Sequence, residues 1–320
     1  MPSKDEISQQ LARESHRRAR LAVPAFAGGF LFLLSTVIIA VTLNALPRVG
    51  LLQGLSPALH GQGAPSVSPS AAPVKGISHH AFTLLVGSAL KSLSLVVLVL
   101  VLLVLLDATR FRRPETFRPA RALVLVGGVA LAVLYVVHEA VETIRAHEFA
   151  VGHDFSTHAA EQVTGGGVNT AFDAVSLLAT IALVVGMIAT CVNAIRTGLL
   201  TRWMGVIGIL AAVLILLPLG GQEPLFEIIP AFWLVAMGVL YMGRWPNGEP
   251  PAWAAGEARP WPTQAELRAE REAKRGGARP QPAGAGPATI DGDVAPEPVG
   301  PANGSSRSSR KRRGRRGGRR

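Results

Sequence analysis

Seven of the eight histidines, His60, His79, His80, His138, His147, His153 and His158, fall in or beside stretches that flank long apolar runs. Glu139, Glu142, Glu148, Asp154, Glu161, Glu223 and Glu227 lie in the same stretches. Imidazole and carboxylate together suit zinc or another divalent ion. His138 and Glu142 are four residues apart and share one face of a helix, whereas His147, nine residues from His138, falls on the opposite side. His79 and His80 precede the second apolar run at a similar depth. His80, His138 and Glu142 therefore form a candidate metal or proton-sensing set. The segment His138-Glu139-Ala140-Val141-Glu142 lacks the second histidine of the HExxH metalloprotease motif, and no residue is assigned a catalytic role. The plainer reading makes these groups polar decoration at a membrane interface. A zinc-type metal site and a bis-histidine haem site are the alternatives, and no cofactor is assigned.

Lys91 is the one charged residue well inside an apolar run. It precedes Leu106 by fifteen residues, about 22 Å of helix at 1.5 Å each. In a hydrocarbon core about 30 Å thick, it lies about 8 Å below the far surface. Its stem can snorkel to that surface. Alternatively Lys91 is a buried cation paired with an acid such as Glu142 or Glu227 in a transport or sensing site. In that case it sits below His138 and competes for the Glu142 carboxylate.

These groups depend on the apolar runs that carry them. Of the 320 residues, 49% are hydrophobic and they stand in long blocks, which is a membrane composition. The clearest block is residues 81–106, in which Leu93 to Leu106 are all Leu or Val except Ser94. In lipid only intrahelical bonding satisfies such a backbone. The fold class read from the pattern is all-α: six transmembrane helices over about 21–46, 81–106, 122–144, 170–195, 204–219 and 228–243. The third helix runs on past its apolar part, since no Pro or Gly interrupts it before Gly152. Residues 1–20 are a polar N-terminal segment, 47–78 a Pro- and Ser-rich flexible external loop, and 152–168 a second loop. Thr170-Ala171-Phe172-Asp173 has capping-box spacing, and Asp173 and Asn193 read as caps. Trp203, Trp233 and Tyr241 are candidate interface anchors.

Basic residues decide the sidedness. Arg110, Arg112, Arg113, Arg118 and Arg121 follow the second span, and five more basic residues precede the first, whereas the other connections are poor in them. Both termini are therefore expected in the cytoplasm. The net charge of +11 is a property of the tail: residues 307–320 hold nine basic residues and no acid, so the rest of the chain carries +2. From Arg244 on, 23 of 77 residues are Pro or Gly, which predicts a disordered cytoplasmic tail over 244–320 with one short charged helix near 263–275. The cluster Arg310, Lys311, Arg312, Arg313, Arg315 and Arg316 is suited to anionic lipid or another polyanion. It has no interleaved aromatics for base stacking. Cys191 is the only cysteine, so no intrachain disulfide forms.

The turn Arg196-Thr197-Gly198-Leu199-Leu200-Thr201-Arg202-Trp203, followed by a Gly-containing helix, resembles one in uncharacterised multi-pass inner-membrane proteins of high-GC Gram-positive bacteria. Thr201 stands where those proteins have Pro, and the tail with Trp253, Trp261-Pro262 and terminal basic clusters is also similar. The resemblance implies a bacterial cell (inner) membrane location and no activity. The residues thus favour a non-enzymatic membrane protein with a basic interaction tail. A transporter or ion/pH-responsive protein using Lys91 and the outer His/Glu groups is the second reading, and a membrane haem or metal protein the third. Partners beyond the bilayer are not named by the sequence.

Overall fold

The structure is a computed structural model, and it describes residues 4–47, 60–61, 71–217, 224–246, 248–261, 266, 268, 269 and 271–273. Every regular element among them is helical. Residues 1–263 form one unit and 264–320 another. In the first unit the helices are α1 (Lys4–Ala45), α2 (Ala71–His79), α3 (Ala81–Arg112), α4 (Ala120–Val151), α5 (Thr157–Gly165), α6 (Gly167–Thr197), α7 (Arg202–Leu216), α8 (Pro224–Tyr241) and α9 (Pro251–Ala255). In the second unit, residues 266, 268, 269 and 271–273 are helical, within the charged stretch expected to be a helix.

Four stretches, Asp5–Ala45, Ala81–Arg112, Ala120–Val151 and Thr157–Thr197, are helical, long and apolar enough to cross a membrane, and α7 and α8 are shorter apolar helices. The six apolar helices close into a ring. α1 packs on α3 and α8, α4 on α3 and α6, and α7 bridges α6 to α8. α3 also touches α6 across the ring, which accounts for its buried Leu95, Leu98, Val101, Leu102 and Leu105. Small residues set the closest approach. A Cβ added to Gly127 of α4 would stand 2.5 Å from the Leu183 backbone nitrogen of α6, and one added to Gly186 of α6 would stand 2.9 Å from the Val124 nitrogen of α4. Such glycines let helix backbones meet where the apolar effect drives no association between helices in lipid.

The bundle has two ends that differ in chemistry. One, the basic end, carries Arg17, Arg112, Arg121 and Arg202; the other, the histidine end, carries α2, α5 and the start of α3. At the basic end, α6 stops at Gly198, whose φ of 78° is left-handed and whose N–H reaches the Ala194 and Ile195 carbonyls. Thr201 then caps α7 by accepting from the Met204 N–H at 3.2 Å, a role that proline could not fill.

Several expectations are corrected. The polar residues from Lys4 to Arg20 belong to α1. Residues 71–78, expected in a flexible loop, are helical because Ala71, Val74 and Ile77 bury against Leu84, Ala146, Phe149, Ala160 and Val163. Residues 157–165 form α5 where a loop was expected; Ser156 caps it by accepting from the Ala159 N–H at 3.2 Å. Just before it, Asp154 accepts from the Ser156 N–H at 2.9 Å, a bond that holds this carboxyl below its usual range. No capping box forms at Thr170, since α6 already begins at Gly167; Asp173 lies inside α6, and Asn193 donates to the Ala189 carbonyl within it. Trp203 is exposed, as an interface residue would be, but Trp233 and Tyr241 are buried. Finally, the tail was expected to be disordered from residue 244, yet Ala252 and Trp253 are core residues of the first unit. The remainder of the tail, from residue 274, lies outside the described residues.

Candidate functional site

Two buried ion pairs tie the helices together. The first lies toward the histidine end. Lys91 of α3 projects into the ring and its Nζ contacts Glu227 Oε1 of α8. The other carboxylate oxygen, Oε2, meets the Thr36 hydroxyl of α1. That hydroxyl also lies 2.9 Å from the Phe32 carbonyl, so its single proton serves one acceptor at a time. The ammonium also faces two aromatic rings, 5.0 Å from the Tyr135 centroid of α4 and 5.7 Å from Phe32 of α1. Four helices therefore meet at one cation. The Lys91 side chain is 8% exposed and that of Glu227 is 22% exposed, so the pair is shielded but its acid is open toward one side. Pro230 follows Glu227 within α8 and removes one backbone donor from the helix.

The structure decides between the two acids considered for Lys91. Glu227 is its partner; Glu142 faces His138 and Arg145, with Asp173 of α6 nearby. The paired Lys91 does not snorkel.

The histidines do not assemble. His138 presents its ring edge to Phe172 of α6, with centroids 5.3 Å apart, and its Nε2 is buried without a hydrogen-bond partner. His79 closes α2, and His80 is the residue before α3, where it makes no side-chain cap; both are exposed. His147 Nδ1 lies 3.4 Å from the Ser78 hydroxyl, and His158 Nε2 lies 3.0 Å from Gln162 Nε2. Among the described residues no group of three or more His, Cys, Asp and Glu side chains is arranged to hold a metal ion. The proposed set of His80, His138 and Glu142 is therefore not brought together. His138 and Glu142 remain neighbours on one face of α4, while His80 stands apart at the α2–α3 junction.

What fixes the histidine end is an amide. Asn169 of α6 donates to the Val163 and Thr164 carbonyls, each at 2.9 Å, which satisfies the last turn of α5. Its Oδ1 accepts from Arg145 of α4 at 3.2 Å, and Arg145 also donates to the Gln162 carbonyl.

The second ion pair lies at the basic end and was not anticipated. Arg112 grips Glu14 of α1 with two N–H groups, Nη1 to Oε1 at 3.0 Å and Nη2 to Oε2 at 2.9 Å. Its remaining donors reach the Ala252 carbonyl at 3.0 Å and the Ala108 carbonyl at 2.9 Å. Both side chains are nearly dry, 0% and 6% exposed. Trp253 of α9 lies beneath Arg18, whose guanidinium is 4.3 Å from the ring centroid and pairs with Glu249. The Trp253 indole donates to the Leu199 carbonyl at 2.9 Å, in the α6–α7 turn. The sequence held one signal for this site: Glu14 is the only acid between Ile7 and Arg20, among five basic or histidine residues. The polybasic residues Arg310, Lys311, Arg312, Arg313, Arg315 and Arg316 lie outside the described residues.

Compared with protein-family models, curated proteins and solved structures, the chain matches none. The function must therefore be argued from its own residues.

Proposed function

We propose that this chain is a six-span, non-enzymatic protein of a bacterial cell membrane, with both termini in the cytoplasm, that responds to protons or cations through Lys91 and Glu227. The observation that carries the proposal is the shielded Lys91–Glu227 contact in an otherwise apolar ring. An ionisable residue inside a membrane bundle is costly, and it marks pathways and sensors more than stability. Protonation of Glu227, or its capture by an external cation, removes the counter-charge of Lys91. The lysine then keeps Tyr135 and the ring of Phe32, and the first turn of α8, ahead of Pro230, is freed from α1 and α3. α7, with 15 residues, and α8, with 18, are shorter than a span of about 20, which local thinning of the bilayer accommodates. The Arg-rich connections at the basic end support a cytoplasmic location for that end, and the polybasic tail adds attraction to anionic lipid.

Reporter fusions after Ala64, Thr157 and Gln222 are expected outside, and those after Pro114 and at Arg320 inside; a reversed result at Pro114 overturns the topology. For the response, hydrogen exchange of α8 in reconstituted protein is measured across a pH series. The protection of the α8 amides, relative to their intrinsic exchange at each pH, is expected to fall as the external pH falls in wild type and to be low at every pH in Glu227→Gln. Identical pH profiles for the two proteins overturn the assignment.

A further inference from the structure

A cleft of about 70 Å³ lies between α1 and α3 at the basic end, beside the Arg112–Glu14 pair. Gln10, Arg13 and Arg17 of α1 form one wall, and Val104, Asp107 and Ala108 of α3 form the other, with Glu14 at the back. The volume is several times the roughly 10–15 Å³ that one water needs, so a group of several heavy atoms fits. Both carboxylates here are already engaged. Glu14 is held by Arg112, and also accepts from Gln10 Nε2 at 3.0 Å. Asp107 gives one oxygen to Arg17 at 3.3 Å and the other to Arg121 at 3.0 Å. With Arg112 and Arg121, which pair with these acids from outside the lining, four arginines stand against two acids, a surplus of two positive charges around the cleft. Asp107 uses only one N–H of Arg17, and the Arg17 side chain remains 59% exposed.

The depth of the cleft points to its ligand. Ala108 lies seventeen residues beyond Lys91 on α3, about 26 Å along the axis, which places the cleft at the headgroup level of the leaflet on the basic side. Exposed Val96 and Leu100 of α3, on the helix side that carries Val104 and Asp107, continue from that level into the hydrocarbon. A cationic cleft at the interface, with apolar helix surface next to it, suits an anionic headgroup with attached acyl chains. Arginine donors in a planar fork match phosphate oxygens.

We propose that this α1–α3 cleft binds the phosphodiester of an anionic lipid, with Arg13 and Arg17 as its anchors, Gln10 as a further donor and Asp107 as the positioning residue for Arg17. The site is part of the helical bundle and independent of the polybasic tail and of the Lys91–Glu227 response.

The test uses the purified full chain in neutral detergent, titrated with short-chain phosphatidylglycerol, short-chain phosphatidylcholine or inorganic phosphate. Melting temperature and mass-resolved lipid adducts are the readouts. Phosphatidylglycerol is expected to raise the melting temperature by mass action and phosphatidylcholine to leave it unchanged. Arg13→Gln and Arg17→Gln are each expected to weaken binding about fivefold, and deletion of residues 307–320 to leave this binding intact. Both arginines are on the surface, so an unchanged melting temperature without lipid shows that the variants are folded. Equal phosphatidylglycerol binding by wild type and the double variant overturns the site. Stabilisation by inorganic phosphate at the concentrations where the lipid acts overturns the lipid assignment.

Discussion

The two buried ion pairs of this bundle have the same formal charges and opposite construction. At the basic end, Arg112 spends four of its five N–H donors on both oxygens of Glu14 and on two backbone carbonyls, and its side chain is fully buried. Toward the histidine end, Lys91 makes one contact to Glu227, and the acid's other oxygen depends on a shared hydroxyl. A rigid fork with four directed hydrogen bonds holds one geometry. A flexible ammonium with one carboxylate and two ring faces can exchange partners at small cost. The contrast suits a structural role for the first pair and the response proposed above for the second.

The largest effect expected from breaking the comparison is at Arg112. Arg112→Ala leaves Glu14 buried without its partner and should lower stability by about 3–5 kcal/mol. Chemical denaturation in mixed micelles measures it, and a loss under about 1 kcal/mol would remove the structural role. The next effect is at the residue beneath Arg18. Trp253→Phe keeps most of the ring but loses the indole N–H and orphans the Leu199 carbonyl, for an expected cost of about 1–3 kcal/mol. It should also make residues 244–261 easier to cleave in limited proteolysis; unchanged cleavage would show that the indole does not hold this segment.

A smaller effect follows at the histidine end. Asn169→Ala removes the donors to the Val163 and Thr164 carbonyls, for about 1 kcal/mol each at most. Faster hydrogen exchange is expected in α5 and not in α9, and uniform acceleration would show that the two ends are one cooperative unit. The smallest change in stability is expected for Lys91→Met combined with Glu227→Leu. Replacing both partners of such a pair with apolar groups is close to neutral or stabilising. The double variant should melt at or above wild type and lose the pH dependence of α8. A loss of several kcal/mol would make the Lys91–Glu227 pair structural, and the contrast between the two ends would disappear.

Where the helices lie was largely legible in the residue order. Runs of Leu and Val define α3 by themselves, and the lack of any breaker before Gly152 predicts that α4 runs on to Val151. The turn after Thr197 needs only Gly198 and Thr201 to form. The short helices were harder to read. Residues 71–79 contain Pro73, Lys75 and Gly76, a poor helix by propensity, and become helical through burial of Ala71, Val74 and Ile77. The candidate site was legible in part. Lys91 stood out because a charge in an apolar run is visible locally, whereas its acid lies 136 residues away. The histidines also stood out, but composition cannot say which way a side chain faces, and His80 and His138 are not drawn to one point.

The sequence by itself determined which segments can satisfy their backbones inside a membrane, because apolar length and intrahelical bonding are local properties. It also determined that the basic residues gather at one end. Only the tertiary structure decided that Lys91 meets Glu227, that Glu14 meets Arg112, and that Trp253 is a core residue. Those outcomes depend on which helices become neighbours when the ring closes, and that is set by how side chains and glycines interlock across the whole bundle. The Pro- and Gly-rich composition after Arg244 suggests a tail, yet two hydrogen bonds, from the Trp253 indole to the Leu199 carbonyl and from the Arg259 N–H to the Thr197 carbonyl, draw its first part into the fold. Their acceptors are carbonyls at the α6–α7 turn, left without intrahelical partners where α6 ends, and such a partnership between distant segments exists only once the chain is folded.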